Sequence, residues 1–465
     1  MSLSTAVSEA KSLITEDHVK KALKADKGIQ AFLKSWKVVD FTKRGDNYAC
    51  EVTSVEVKYS MNNKEDSEVT YVVKLNPHRN FGEFQEAEPF LFEKEGKFYE
   101  ELVPVLNEAL MSAGQKPLRF AKCFLVSLEE GKEQLYFEDL RARGFKMFDR
   151  RKGMDKNHIA LVLSELARLH GASYLLTNKV LEGESAGARY EFLSKDLLDF
   201  TPNTKELFVS WMERCVDTGI MMLDIIGGYE TASAWLKSFR SVENVLSTGI
   251  QFVSWMERCV DTGIMMLDII GGYETASAWL KSFRSEVENV LSTGIRSTRF
   301  SSICHGDCWN NNVLFRYNAE GRPVEVMLLD LQMCREASAA SDLNYLLFTS
   351  VNGDVRKPNL RHFMSLYHST YKEVLEGGDM PMHFTIEELM EEFRDKNKFG
   401  LVFALVIIPL MLTEPEEVPD MSNTDFETLM NGFRDISLEK LKTNPLCKPR
   451  FLSIFDEFME TGLIS

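Results

Sequence analysis

Apolar and polar positions alternate over two neighbouring segments near the start of the chain, which is typical of β-strands. The segments "NYACEVTSVEVKYS" (47–60) and "SEVTYVVKL" (67–75) are rich in β-branched residues, and the polar turn "MNNKED" separates them. This arrangement predicts a β-hairpin. Two further strands are predicted at 117–128 and 134–140, and residues 1–36 are predicted to form a helical lead-in.

Helical periodicity replaces strand alternation elsewhere. Residues 90–114 predict a helix that ends at Gly114. Residues 158–176 predict a second helix, and five of its residues share one face: Ile159, Val162, Leu163, Leu166 and His170. We therefore predict an α+β chain of two lobes, a small N-terminal lobe with an antiparallel sheet (1–140) and a larger, mostly helical C-terminal lobe (141–465).

A long segment occurs twice within the predicted helical lobe. "FVSWMERCVDTGIMMLDIIGGYETASAWLKSFRS" is found at 208–241 and at 252–285, and the nine residues that follow repeat as well, so that 208–250 nearly equals 252–295. Glu286 is the one inserted residue. Stacked repeats usually have at least about three units that have diverged. We therefore favour a duplication without a mechanistic role, from an exon duplication or an assembly error, over a working structural repeat.

Charge and hydropathy exclude several classes of partner. The net charge is −16 and no long basic block occurs, which argues against nucleic acid and anionic membrane. The most apolar run, 399–412, has 14 residues with a proline, which predicts a buried helix. The N-terminus lacks a signal-peptide core, and the scattered cysteines indicate reduced thiols in the cytosol. Cys304, His305 and Cys308 lack a second ligand pair, so zinc is disfavoured.

The stretch "HGDCWNNNVLF" (305–315) gathers oxygen-bearing side chains at the start of a strand. Strands predicted at 312–317 and 324–332 would form a hairpin around the turn "NAEG". The hairpin would place Asn312 beside Asp330, with Asp307 in the same loop. Two carboxylates and an amide oxygen are the ligand chemistry that Mg²⁺ prefers.

The spacing H-G-D-x₄-N followed by L-L-D matches the layout of kinase catalytic loops. In that layout one aspartate accepts the proton of the substrate hydroxyl, which is the role predicted for Asp307. Asn312 and Asp330 are predicted to hold the metal ions. His305 is predicted to brace the loop by hydrogen bonds rather than to act as the base.

The chain resembles the ecdysteroid-kinase-like family of insects, within the aminoglycoside phosphotransferase and choline kinase group of the protein-kinase-like fold. The resemblance is carried by "CHGDCWNNNVLF", "LLDLQ", "SDLNYLLFTS", "YVVKLNP", "FEKEGKFYEELVP", "FEDLRARGF" and "ELARLHGASY". It implies that Lys74 grips ATP phosphates, with Glu95 as its ion-pair partner. It also implies that "GDNYA" replaces the glycine-rich loop, with Gly45 and Asn47 facing phosphate.

The same resemblance places "FEDL" at the hinge between the lobes, where backbone groups would meet adenine. Whether Glu138 or Asp139 is a direct ligand stays open. Asp342, before an apolar run, is predicted to cap a helix and to support the loop.

The function that the resemblance implies is transfer of the ATP γ-phosphate to a hydroxyl of an ecdysteroid or related secondary alcohol, with ATP and Mg²⁺ as cofactors. A kinase of choline-like amines or xenobiotic alcohols is an alternative. A non-catalytic protein that binds steroids or partners is an alternative of another class, disfavoured by the intact Lys74, Asp307, Asn312 and Asp330. We expect a cytoplasmic monomer that acts on a small molecule and binds neither nucleic acid nor membrane.

Overall fold

The N-terminal part of the chain is built on a five-stranded antiparallel sheet of order β1-β2-β3-β5-β4. The computed structural model describes residues 11–41, 50–62, 65–76, 87–195, 250–287, 289–290, 300–414, 417 and 426–464. The elements of this part are α1 (Glu16–Lys27), β1 (Ala31–Asp40), β2 (Glu51–Met61), β3 (Asp66–Leu75), α2 (Ala87–Lys97), α3 (Val103–Ser112), β4 (Cys123–Ser127) and β5 (Gln134–Glu138). The predicted antiparallel sheet is confirmed.

Helix α1 covers the outer face of this sheet and begins and ends at clear signals. The hydroxyl of Thr15 accepts a hydrogen bond from the backbone N–H of His18, and Gly28 ends the helix with a φ of +91°. The predicted helical lead-in over 1–36 is wrong from Ala31 onward, because Ala31–Asp40 pairs with β2 as an edge strand. Apolar and polar residues alternate only weakly in an edge strand with mixed exposure. Such a strand is therefore recognised by its pairing with a neighbouring strand rather than by its own sequence pattern.

The predicted helix over 90–114 is confirmed with an internal irregularity. A π-helical turn, Phe98–Leu102, joins α2 to α3. Gly96 lies where α2 meets the sheet, and a Cβ there would come within 2.7 Å of Cγ1 of Val126. Glycine therefore lets α2 approach the inner face of the sheet closely.

The rest of the chain is mostly helical, with two small antiparallel sheets of order β6-β8-β9 and β10-β7. A 3₁₀ turn, Leu140–Arg143, follows β5, so the strand predicted to reach residue 140 is two residues shorter. The elements are β6 (Phe145–Met147), α4 (Lys156–Leu175), α5 (Ala186–Arg189), α6 (Glu191–Ser194), α7 (Ile250–Ile270), α8 (Glu274–Phe283), β7 (Ser301–Cys304), β8 (Val313–Tyr317), β9 (Pro323–Leu328), β10 (Arg335–Ser338), α9 (Ala339–Ser350), α10 (Gly353–Gly377), α11 (Ile386–Asp395), α12 (Asn397–Met411), α13 (Phe426–Thr443) and α14 (Cys447–Glu460). The predicted mostly helical C-terminal part is confirmed, and the boundary at residue 140 stays a prediction.

Helix α4 is the central helix of this part, and its predicted apolar face is fully buried. A Cβ at Gly171 would come within 2.8 Å of Cγ1 of Val374, so glycine allows α4 and α10 to pack closely. The segment Lys156–Val180 is long and apolar enough to cross a membrane, but 72% of its apolar window is buried inside the protein. That degree of burial identifies the segment as a core helix.

The second copy of the duplicated segment forms α7 and α8. Its side chains at Val260, Leu267 and Leu280 are buried, and a Cβ at Gly263 would come within 3.1 Å of Leu405 in α12. The predicted buried helix over 399–412 is confirmed as α12. The first copy, 208–241, lies outside the described residues, so the predicted duplication without a mechanistic role stays a prediction.

Candidate functional site

The predicted hairpin is present as β8 and β9, paired from Val313 with Leu328 onward. Just beyond it the backbone N–H of Leu329 donates to the carbonyl of Asn312 at 2.9 Å, so the loop before β8 and the segment after β9 are tied together. Asp330 follows with a φ of +65°. This left-handed conformation is uncommon outside glycine, and Asp and Asn tolerate it better than most residues.

The loop from His305 to Asn312, which we call the HGD loop after its first three residues, is supported by α9. The carboxylate of Asp342 accepts hydrogen bonds from the backbone N–H groups of His305 (2.7 Å) and Gly306 (2.9 Å). Gly306 has a φ of +82°, and a Cβ there would lie 2.0 Å from the carbonyl oxygen of Met333. Glycine is required at this position on both grounds.

Asp342 supports the loop as predicted, but it does not cap the helix. Ser338 is the N-cap of α9 and accepts from the N–H of Ala340, whereas Asp342 lies in the first turn. Burial acts to raise the pKa of Asp342. Hydrogen bonding to His170, the charges of His170 and His305 and the N–H of Gly306 outweigh burial and hold that pKa below its usual range. Asp342 is therefore a buried carboxylate that stays ionised.

Asp307 belongs to the same loop, and its carboxylate accepts hydrogen bonds from neighbouring side chains. Its Oδ2 accepts from Nδ2 of Asn312 at 2.8 Å, and its Oδ1 accepts from the hydroxyl of Tyr345 at 2.5 Å. Desolvation, followed by the charge of Asp330, raises the pKa of Asp307 to about 7, against the lowering effect of these hydrogen bonds and one from Trp309. A carboxyl group with this pKa can exchange a proton near neutral pH.

Lys74, near the end of β3, contacts two carboxylates that lie far apart in the chain. Its Nζ lies 2.5 Å from Oε2 of Glu95 in α2 and 3.0 Å from Oδ1 of Asp330. Burial acts to lower the pKa of Lys74, but the charges of Asp330 and Glu95 outweigh it and raise that pKa well above its ordinary value. Lys74 is therefore a fixed cation beside Asp330, and its role in gripping phosphates stays a prediction.

The donor set around Asp330 fits Mg²⁺. Asp330 is close enough to Asp307 for its charge to raise the pKa of that residue, and its side chain keeps 24% of its surface exposed. Asn312 turns Nδ2 toward Asp307, which leaves its carbonyl oxygen directed away from that carboxylate. One accessible carboxylate and one amide oxygen, completed by phosphate oxygens, are a typical Mg²⁺ ligand set.

The remaining predicted residues divide into three groups. His305 is buried, burial lowers its pKa, and its Nδ1 accepts from the N–H of Asp307 at 3.4 Å, which is a bracing contact. Both hinge carboxylates already have arginine partners, Arg143 for Glu138 and Arg141 for Asp139. Gly45 and Asn47 lie outside the described residues, so their predicted contact with phosphate stays a prediction.

The thiol of Cys304 lies below the loop, close to His170 and Asp342. Burial raises the pKa of Cys304 well above its ordinary value, and its Sγ donates to the carbonyls of Ala337 and Ser338. Nδ1 of His170 is bonded to the hydroxyl of Tyr367 at 2.8 Å. These side chains are hydrogen-bonded within the protein and brace the loop.

A comparison with protein-family models decides the family. The model of the ecdysteroid kinase-like family matches residues 44–253 and 244–377, which together cover more than two thirds of the chain. The chain belongs to the ecdysteroid kinase-like family. The two matches meet close to the junction of the duplicated copies at residues 250–252, and they include Lys74, Glu95, Asp307, Asn312 and Asp330.

Solved structures that resemble this ecdysteroid kinase-like chain include small-molecule kinases. An ethanolamine kinase from Plasmodium vivax has a TM-score of 0.38 and 10% identity, over 96% of this chain and 88% of that chain. The GDP complex of an aminoglycoside 2'-phosphotransferase-IIIa has a TM-score of 0.34 and 8% identity, over 96% and 100%. None of the curated proteins matches the chain. With TM-scores this low, the family match alone carries the assignment.

Sequence reasoning missed one residue of this ecdysteroid kinase-like site. Tyr345 lies within "SDLNYLLFTS", where the sequence pattern assigns it no role, although its hydroxyl contacts Asp307. A signal was available, because Tyr345 follows Asp342 by three residues and such residues share a helix face.

Proposed function

We propose that this chain is an ATP-dependent kinase that transfers the γ-phosphate to a hydroxyl of an ecdysteroid or a related secondary alcohol. One observation carries the proposal: the Lys74 ammonium is bridged to Glu95 and Asp330, and the charge of Asp330 acts in turn on Asp307, which is bonded to Asn312. This constellation combines a fixed cation, a metal-binding carboxylate and a general base, which are the parts that phosphoryl transfer needs.

Asp307 accepts the proton of the acceptor hydroxyl as that oxygen attacks the γ-phosphorus, and the bond to the leaving ADP oxygen breaks. Its pKa of about 7 makes it a stronger base than an ordinary aspartate. Lys74 positions the phosphates, and Glu95 keeps Lys74 in place. Asp330 and Asn312 would hold Mg²⁺, which neutralises charge on the phosphate oxygens when bound.

The test is a panel of hydroxyl acceptors with labelled ATP and the purified full chain. We expect Mg²⁺-dependent transfer to an ecdysteroid-like secondary alcohol, weak binding of ATP by Lys74→Ala, and near-normal binding of ATP without turnover by Asp307→Asn. The panel includes choline-like amino alcohols and xenobiotic alcohols. Transfer to one of these alone would replace the acceptor and leave the kinase chemistry standing. ATP binding that ignores Mg²⁺, with no transfer to any acceptor, would favour a binding protein.

A cytoplasmic location and a monomeric state belong to the proposal. None of the cysteines among the described residues forms a disulfide, which suits a reducing compartment. Fractionation of cells that express the tagged chain, and light scattering of the purified protein, test the two parts separately.

A further inference from the structure

The carboxylate of Asp307 has a contact from outside its own loop. The hydroxyl of Tyr345 donates to Oδ1 at 2.5 Å, whereas Asn312 and Trp309 belong to the loop that carries Asp307. The tyrosine is 4% exposed, so its hydroxyl is largely shielded from water. A hydrogen bond to a charged group in such surroundings is among the stronger ones.

Helix α9 therefore holds the HGD loop at two points. Asp342 fixes the backbone of His305 and Gly306, and Tyr345, three residues later on the same face, fixes the side chain of Asp307. The first contact determines where the loop lies. The second determines how the reactive carboxylate is rotated, because a bond to Oδ1 restricts the χ2 angle of an aspartate.

The ring of Tyr345 is itself held in place. Its centroid lies 4.6 Å from that of Phe403 in α12, and Phe403 lies 4.8 Å from Phe399. Phe403 and Phe399 are both almost fully buried. The hydroxyl that bonds Asp307 therefore belongs to a buried cluster of tilted aromatic rings and not to an exposed surface side chain.

We infer that Tyr345 is a positioning residue for phosphoryl transfer, which orients Asp307 toward the acceptor hydroxyl without touching substrate. The inference rests on the proposed function, since it assigns the base of that reaction. One lone pair of Oδ1 is taken by Tyr345 and one of Oδ2 by Asn312, which limits the directions from which the acceptor proton can be received. A misplaced base slows the chemical step more than it weakens binding.

The experiment compares Tyr345→Phe with Tyr71→Phe. Tyr71 is also a buried tyrosine that donates to an aspartate, Asp26, at 2.9 Å, but it lies on the outer face of the sheet. We expect Tyr345→Phe to lower kcat by roughly 10- to 100-fold with little change in the KM for ATP. Tyr71→Phe should leave both values within about twofold of the wild type.

A double-mutant cycle separates positioning from general loosening of the fold. In an Asp307→Asn background, Tyr345→Phe should change the single-turnover rate by less than about twofold, because the base it orients is gone. An equal loss in both backgrounds, or an unchanged kcat in Tyr345→Phe, would overturn the inference. If Tyr345→Phe fails to fold, Phe403→Leu keeps the hydroxyl and loosens its ring, and must show a smaller loss of kcat that also vanishes without Asp307.

The two proposals fail in different ways. A wild-type chain that transfers phosphate to no acceptor overturns the proposed function, and the positioning role falls with it. A wild-type chain that is active, together with an equally active Tyr345→Phe, overturns the positioning role alone.

Discussion

Asp307 belongs to the HGD loop and Asp342 is hydrogen-bonded to it, yet the pKa values of their two carboxyl groups are shifted in opposite directions. Asp342, below the loop, is bonded to two backbone N–H groups and a histidine ring, and its pKa is lowered. Asp307 loses solvation on burial and has the charge of Asp330 nearby, and both effects raise its pKa, to about 7. Burial acts to raise the pKa of both carboxyl groups, so the hydrogen bonds and charges around each one decide which stays ionised and which can take up a proton near neutral pH.

Removing the carboxylate of Asp342 should have the largest effect. Asp342→Ala leaves two buried N–H groups and His170 without their acceptor. We therefore expect the midpoint of thermal unfolding to fall by roughly 5–15 °C and phosphate transfer to be lost. Thermal unfolding and ATP turnover measure both. Asp155→Ala is the matched control, because Asp155 is also an aspartate that accepts from two backbone N–H groups, at the N-cap of α4, and contacts Nδ1 of a histidine, His158, at 2.8 Å. It should lower the midpoint of thermal unfolding by roughly 1–4 °C with turnover kept. An Asp342→Ala variant as stable as the control would contradict the role of Asp342 as the carboxylate that supports the loop.

Removing the charge of Asp307 should lower activity and raise thermal stability at pH 8. Asp307→Asn should reduce turnover by roughly 10²–10⁴. Because the pKa of Asp307 is about 7 in the folded chain and near 3.8 when unfolded, its charge disfavours folding increasingly as pH rises from 4 to 7. We therefore expect the midpoint of thermal unfolding of the variant to lie roughly 1–4 °C above that of the wild type at pH 8, and no higher than that of the wild type at pH 4. Destabilisation at pH 8 would contradict the assigned environment.

The rate–pH profile should sharpen the comparison. If Asp307 must be ionised to act, kcat/KM should rise about tenfold per pH unit below pH 7 and level off above it. The ionised Asp342 should contribute its stabilisation above about pH 4 and lose it only as pH falls further. A rate profile that is flat between pH 5 and pH 8 would remove Asp307 as the base.

The smallest effect is expected where neither carboxylate is touched. Deleting residues 208–251 joins Leu207 to Phe252 and keeps the second copy, which forms α8 and all of α7 except its first two residues, Ile250 and Gln251. A change of loop length costs only about 0.6 kcal/mol per doubling. The variant should fold, remain as soluble and keep turnover, which unfolding, sedimentation and ATP assays can check. Early unfolding with loss of activity would show that both copies are needed.

Local patterns in the sequence were enough for the hairpin of β8 and β9, for α4 and for Lys74 on β3, since each depends on neighbours close in the chain. The edge strand Ala31–Asp40 was missed because its pairing with β2 defines it. Tyr345 was missed because its contact with Asp307 spans 38 residues and depends on how α9 packs below the loop. The capping role given to Asp342 was wrong because Ser338, four residues earlier, already ends the strand and begins the helix.

The contact between Lys74 and Asp330 joins residues that are 256 positions apart. On the ribosome, at about 5–20 residues per second, Asp330 is made roughly 13–50 s after Lys74. During that interval the newly made sheet carries a lysine with one of its two carboxylates missing. Completion of the site therefore waits for most of the chain to be synthesised, and a nascent chain that stops short of the hairpin lacks the second carboxylate that Lys74 contacts.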